Sequence, residues 1–187
     1  MASRALLRFY RRKRGLPVVL EYDGRAMSAT SSALKTALFT LLVPAIIAVG
    51  LPQAWIAENH VDAAPGWVVR AMGGLLIVLG AIGYFWCAAL FVKAQGTPAP
   101  VSPAQRTVME GLYRINRNPM YTSVLAVVFG QALLYRYRPL AIYGAGLALM
   151  FHVFVLLYEE RALRARFNGE YEDFCRRVPR WIPRIRF

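Results

Sequence analysis

The chain has 187 residues, 57% of them hydrophobic and 18% charged, with a mean hydropathy of +0.38 and a formal net charge of +13. Soluble domains of this length are less apolar and more charged, and here the apolar residues come in long blocks, so composition points to one compact membrane protein rather than two soluble domains. The positive charge does not indicate nucleic acid, because the basic residues gather at the ends of apolar blocks, as in cytoplasmic membrane loops facing anionic lipid heads, with no zinc pattern or aromatic–basic ribbon beside them.

In chain order, residues 1–32 form a basic N-terminal arm, "RFYRRKRGLPVVLEYDGRAMSATSS" in its larger part. No apolar core follows the basic run at once, which makes it a poor secretory signal and a better lipid-facing arm; Met27 is a candidate alternative start. Ala33–Leu51 is the first expected span, about 19 residues and so long enough to cross the hydrocarbon, with Lys35 snorkelling and Pro44 kinking it. Residues 52–66 carry Glu58 and Asp62 but no Lys or Arg, and read as a short extracytoplasmic loop in which His60 is solvated. Trp67–Val92 is the second span, with Trp67 at the interface and Arg70 snorkelling outward. Gly73, Gly74, Gly80 and Gly83 suit close helix approach, and Gly80 and Gly83 are also placed to line a lateral gap for a lipid.

Residues 93–119 form a long loop with prolines at 98, 100, 103 and 119. Loops of this length are usually functional or disordered, and the apolar content of "AQRTVMEGLYRI" predicts order, with a short interfacial helix around Gln105–Glu110. Met120–Tyr135 is a third, short span. "RYRP" makes a tight turn, and Leu140–Tyr158 returns as the fourth span of an antiparallel hairpin. Lys and Arg concentrate in the arm, the 93–119 loop and the 161–187 tail, which places both termini in the cytoplasm; Arg136 and Arg138 in the second outer turn dissent. The tail continues the fourth helix with an apolar stripe of Leu163, Phe167, Tyr171 and Phe174. Asn168-Gly169 is a candidate break in that helix, and "VPRWIP" should run extended because a residue before Pro avoids the α region. The expected class is therefore an all-α polytopic membrane bundle of about four transmembrane helices with a cytoplasmic C-terminal helix and tail. Residues 33–92 hold two spans, and residues 93–187 hold the catalytic region.

Chemistry concentrates where the loop meets the fourth helix. Glu159 and Glu160 directly follow an apolar run, where carboxylates are costly and need cations or water. Arg114 and Arg117 reach the same depth from the loop, so arginines and glutamates form one polar cup. The alternative is a solvated charged helix start, with Glu160 paired to Arg164 four residues on; Glu159 has only Leu163 at that spacing. In "RNPMY", Asn118 and Pro119 also read as an ordinary helix start, which leaves an N-terminus able to bind an anion. His152 is the ionisable group deep in the fourth helix, and reads first as a packing histidine bonded to a neighbouring span. "GAGLAL" lacks the third glycine and the preceding strand of a dinucleotide site. Cys87 and Cys175 imply no disulfide framework, and no metal-ligand spacing is present, so no metal is expected.

The strings "GTPAP", "GLYRINRNPMY", "EERALRARFNGEY" and "VPRWIP", in this order, resemble the isoprenylcysteine carboxyl methyltransferase family, which is related to the phospholipid methyltransferases. The resemblance covers about the C-terminal half; the first two spans match only as generic membrane helices. Asn118 stands where that family usually has His, Leu112 where it has Pro, and Asn168 where it has Gly. The resemblance implies S-adenosyl-L-methionine as cofactor, held between the last two helices and the tail. Tyr113, Asn118, Met120 and Tyr121 would line the pocket, Glu159 and Glu160 would hold its cationic side, and Arg117 would meet an anionic group of cofactor or acceptor. Arg117 and Glu160 are the candidate catalytic residues. The implied function is methyl transfer to a lipid-like acceptor in a membrane, the inner membrane of a bacterium. Prenylated cysteine, phosphatidylethanolamine and a bacterial isoprenoid or fatty acid all fit as acceptor, and the oligomeric state is open. A nicotinamide-dependent membrane reductase of related architecture and a non-enzymatic four-helix membrane protein are the competing readings.

Overall fold

The computed structural model describes residues 43–62, 66–93 and 111–182, and these are helical with no strand among them. The N-terminal arm, the start of the first expected span and the expected helix at 105–110 lie outside the described residues.

Helix α1 (Ile46–Glu58) opens with a π turn, Ile46–Gly50, and continues as α-helix from Leu51. It runs seven residues past the expected end of the first span, into what sequence reads as loop. Pro52 lies inside this continuous helix, directly after the π turn, and its missing N–H leaves a carbonyl that other side chains must satisfy. Ile56 extends the packing by burying its side chain in a small core with Ala132 and Leu140. The Ala48 carbonyl, four residues before Pro52, accepts instead from Gln131 Nε2 at 2.6 Å, and Tyr143 Oη donates to the Ile47 carbonyl at 2.9 Å. Side chains of neighbouring helices thus satisfy the irregular backbone, as an apolar surrounding requires.

Helix α2 (Trp67–Lys93) is followed, across the undescribed stretch, by a 3₁₀ turn at Gly111–Arg114. Helix α3 (Pro119–Leu134) packs against α1, α2 and α4 (Arg138–Phe154) and is central to the core: Met120, Val124 and Val128 pack with Tyr84, Cys87 and Ala88 of α2 and Leu147 of α4. The approach of α2 to α3 rests on missing side chains. A Cβ on Gly73 would lie 2.7 Å from the Leu134 amide, and one on Gly80 would lie 2.7 Å from the Ser123 carbonyl. Gly83 faces Ser123 Oγ at 2.6 Å on the same count, so Gly80 and Gly83 are packed against α3 and line no lateral gap.

Helix α4 continues past the span end into the tail, as expected. It passes through a π turn, Val155–Glu159, into α5 (Glu160–Arg177). Asn168-Gly169 does not break α5. A glycine inside a helix costs about 1 kcal/mol relative to Ala, which burial of Tyr171 in the next turn offsets. After α5, Val178 is extended (φ −114°, ψ 126°), as its place before Pro179 requires.

Two helical stretches, Trp67–Leu90 and Arg138–Ala165, are long and apolar enough to cross a membrane, while α1 and α3 are shorter apolar helices. Of their most apolar windows only 33% and 28% are buried, so much of each stretch faces outward. Leu75, Leu79, Ile82 and Phe85 of α2 and Ile142, Leu149 and Val153 of α4 point outward, an apolar surface that associates with a membrane.

Candidate functional site

The polar residues converge where the start of α3, the junction of α4 with α5, and the segment after α5 meet. The chain reaches this point through Gly111, whose left-handed φ of 57° excludes most side chains, and whose Cβ would lie 3.2 Å from the Trp86 indole nitrogen. The next residues drop Tyr113 into the core beside Cys87, to which it is hydrogen-bonded; burial holds its phenol well above the ordinary range, so it is a neutral hydroxyl. Met120 lies in the same core.

Glu160 is the centre of the cluster and is 2% exposed. Arg180 holds it with two bonds, Nε to Oε1 at 2.6 Å and an Nη to Oε2 at 3.0 Å, the paired geometry in which a guanidinium grips a carboxylate most strongly. Arg117 Nη1 reaches Oε1 at 3.1 Å, and Arg164 reaches Oε2 at 3.6 Å. Pairing with Arg164 is therefore present, but on a buried carboxylate rather than on a solvated helix start. Arg114, expected in the cup, is exposed and makes no ion pair among the described residues. Its place is taken by Arg180, which sequence reasoning missed. The available signal was an arginine in "VPRWIP", held between two prolines where the chain cannot continue a helix.

Backbone bonds lock this arrangement. The Arg117 amide donates to the Pro179 carbonyl at 2.9 Å, and Asn118 Nδ2 donates to the Arg180 carbonyl at 3.0 Å. Asn118 stands at the helix start as expected, yet its side chain does not cap α3. It is turned to the tail, while its own amide bonds to Asn116 Oδ1 at 2.9 Å. Arg117 Nη1 also donates to Cys175 Sγ at 2.8 Å, and Arg117 Nε is buried with no hydrogen-bond partner.

Glu159 faces differently. Adjacent helical residues diverge by about 100°, and the π turn ends here; such turns recur at functional sites. Tyr121 Oη donates to Glu159 Oε2 at 3.0 Å. The Tyr121 ring lies 4.7 Å from that of Phe151 and 6.5 Å from that of Trp181. Trp181 Nε1 donates to His152 Nδ1 at 3.0 Å, so His152 is bonded to the tail rather than to a neighbouring span. The structure thus brings Arg117, Asn118, Tyr121, Glu159 and Glu160 together at one end of the bundle, with Tyr113 and Met120 in the apolar wall behind them.

The arrangement holds two chemically distinct places. Glu160 is saturated by arginines. Glu159, with aromatic faces beside it, suits a cation, and the unmatched N–H of Arg117 suits an anion. Searches of curated proteins and of solved structures return no match. The family model described as phospholipid methyltransferase matches residues 68–170, more than half of the chain, beginning in α2 and ending within α5. The chain belongs to the phospholipid methyltransferase family.

Proposed function

We propose that the protein is an integral-membrane methyltransferase that takes its methyl group from S-adenosyl-L-methionine and passes it to a lipid-like acceptor. The observation that carries this reading is the division of labour at the cluster: one carboxylate locked by three guanidiniums, and beside it a second carboxylate held by one tyrosine hydroxyl among aromatic rings. An amino acid bearing a sulfonium has a carboxylate, an ammonium and a further positive centre. Arg117 Nε fits the first, and Glu159 with the faces of Tyr121, Phe151 and Trp181 fits the cationic groups. When bound, the cofactor supplies an electrophilic methyl group.

The chain's own part is positioning and exclusion of water. Tyr113, Met120 and Val124 form a dry wall, and Asn118 and Arg117 hold the tail over the site. Proximity and alignment are the main contribution that a displacement of this kind needs. A carboxylate acceptor needs no base. An amine acceptor has to be neutral, and Glu159 would take its proton. The acceptor's apolar part stays in the bilayer. Residues 93–187 carry the catalytic region, and four spans with both ends in the cytoplasm satisfy the charge bias of the loops.

Calorimetric titration of the detergent-purified protein tests the reading. S-adenosylmethionine is expected to bind and NADPH not to, and Glu159→Gln is expected to weaken binding roughly ten- to a hundredfold, the worth of one hydrogen bond to a charged group. Binding of NADPH without S-adenosylmethionine would overturn it. For the topology, single cysteines placed at Ser28 and Phe187 in a chain lacking Cys87 and Cys175 should resist labelling from outside intact cells.

A further inference from the structure

The opposite end of the bundle carries a feature that methyl transfer does not use. There, ~24 Å of α3 away from the arginine–carboxylate cluster, a groove of about 470 Å³ opens between α2, α3 and α4. Leu76, Phe129, Leu133 and Ala141 line its apolar part, and Arg136 and Arg138 line the rest. Both arginines are exposed, and neither has an ion-pair partner among the described residues.

Their placement is electrostatically unfavourable as it stands. Arg138 is the first residue of α4, where the helix dipole repels a cation, and the first turn of α4 has no acidic residue. Tyr137 precedes the helix without a side-chain cap bond, Pro139 has no N–H, and the Leu140 amide bonds back to the Tyr137 carbonyl at 3.1 Å, so the guanidiniums are the donors this end offers. Two guanidiniums at a helix start thus add positive potential at one spot, and no carboxylate among the described residues lies within ion-pair distance of either. Tyr135 and Tyr137 flank the arginines, and tyrosines collect at headgroup depth in membrane proteins. Charge above and an apolar trough below match one kind of occupant.

We propose that this groove binds one anionic phospholipid of the adjacent leaflet, its phosphate between Arg136 and Arg138 and the upper part of an acyl chain along Leu76, Phe129 and Ala141. A zwitterionic lipid brings its own cation and leaves the excess positive charge unmatched. The site goes beyond the proposed activity, because it lies at the other end of the bundle from the methyl-transfer residues.

Native mass spectrometry of the detergent-purified protein tests this, with phosphatidylglycerol or phosphatidylcholine added at equal concentration. Phosphatidylglycerol should be retained roughly tenfold better, and Arg136→Asn with Arg138→Gln should abolish that preference by removing two charge-assisted contacts. Asn suits the left-handed backbone at 136 (φ 47°), so the change removes charge without adding strain. Ala141→Trp, at an exposed position, fills the trough with both arginines intact and should also lower retention, which keeps the test decisive if the double variant does not fold. Equal retention of both lipids by the parent, unchanged retention in the double variant, or displacement of the lipid by soluble glycerol phosphate would each overturn the proposal.

Discussion

Glu159 and Glu160 are neighbours in sequence with opposite electrostatic situations. Glu160 is buried in a ring of three arginines, one of them, Arg117, only 11% exposed at its side chain. Removing one member of a buried ion cluster leaves the others desolvated and unmatched, at a cost of about 3–5 kcal/mol. Glu160→Gln is therefore expected to lower the thermal midpoint in detergent markedly. Glu159→Gln keeps its shape and an oxygen that still accepts from the Tyr121 hydroxyl, and loses only its charge, so the change in stability should stay below about 1.5 kcal/mol while cofactor binding falls. Equal destabilisation by the two changes would show that the glutamates form one unit. In sequence the pair is symmetric, since both follow an apolar run. Only Arg164, four residues after Glu160, hints at the difference, and Arg180 reaches Glu160 across a fold that no local spacing reveals.

Helix ends and helix contacts obey rules that can be tested one position at a time. Helix α1 ends with His60 left-handed (φ 49°), and the Val61 amide bonds back to the Ile56 carbonyl at 3.0 Å. Glycine is the residue best suited to that position. A non-glycine residue there costs about 1–2 kcal/mol, so His60→Gly should stabilise by about 0.5–1 kcal/mol after the added freedom of the unfolded chain is allowed for. A raised midpoint in thermal unfolding checks it. Gly73 and Gly74 offer a paired test on α2. Gly73→Ala drives a methyl to within 2.7–2.9 Å of α3 backbone and should destabilise by about 1–3 kcal/mol, whereas Gly74→Ala meets nothing within 4 Å and should stabilise by about 0.5–1 kcal/mol. Sequence shows four glycines suited to close packing; which of them touch α3 depends on how α2 is rotated.

At the scale of the whole molecule, the site exists only because the segment after α5 folds back. Pro179, Arg180 and Trp181 meet Arg117, Asn118, Glu160 and His152 through two bonds to tail carbonyls and three from tail side chains. A chain ending at Val178 loses all five and leaves Glu160 with Arg117 and Arg164. It should retain its helices, because α2, α3 and α4 share a core that the tail does not enter. It should bind S-adenosylmethionine at least tenfold more weakly, a loss that calorimetry beside circular dichroism would read; unchanged affinity would place the cofactor away from the tail.

The sequence by itself determined the helical class, the two long apolar helices and the family, because these rest on local composition, periodicity and motifs in order. It also singled out "RNPMY" and "EE", which the structure brings together, since polar groups at the edge of apolar runs are costly without partners. Other features waited for the tertiary structure. Helix α1 overruns its expected end because Ile56 finds a core on α3 and α4, and Gln131 and Tyr143 satisfy its irregular backbone from helices about 80–100 residues away in sequence. The π turn sets Glu159 and Glu160 facing different partners, and Arg180 takes the place that sequence assigned to Arg114. Burial and long-range hydrogen bonds decide such matters, and they depend on distances in space that spacing along the chain does not encode.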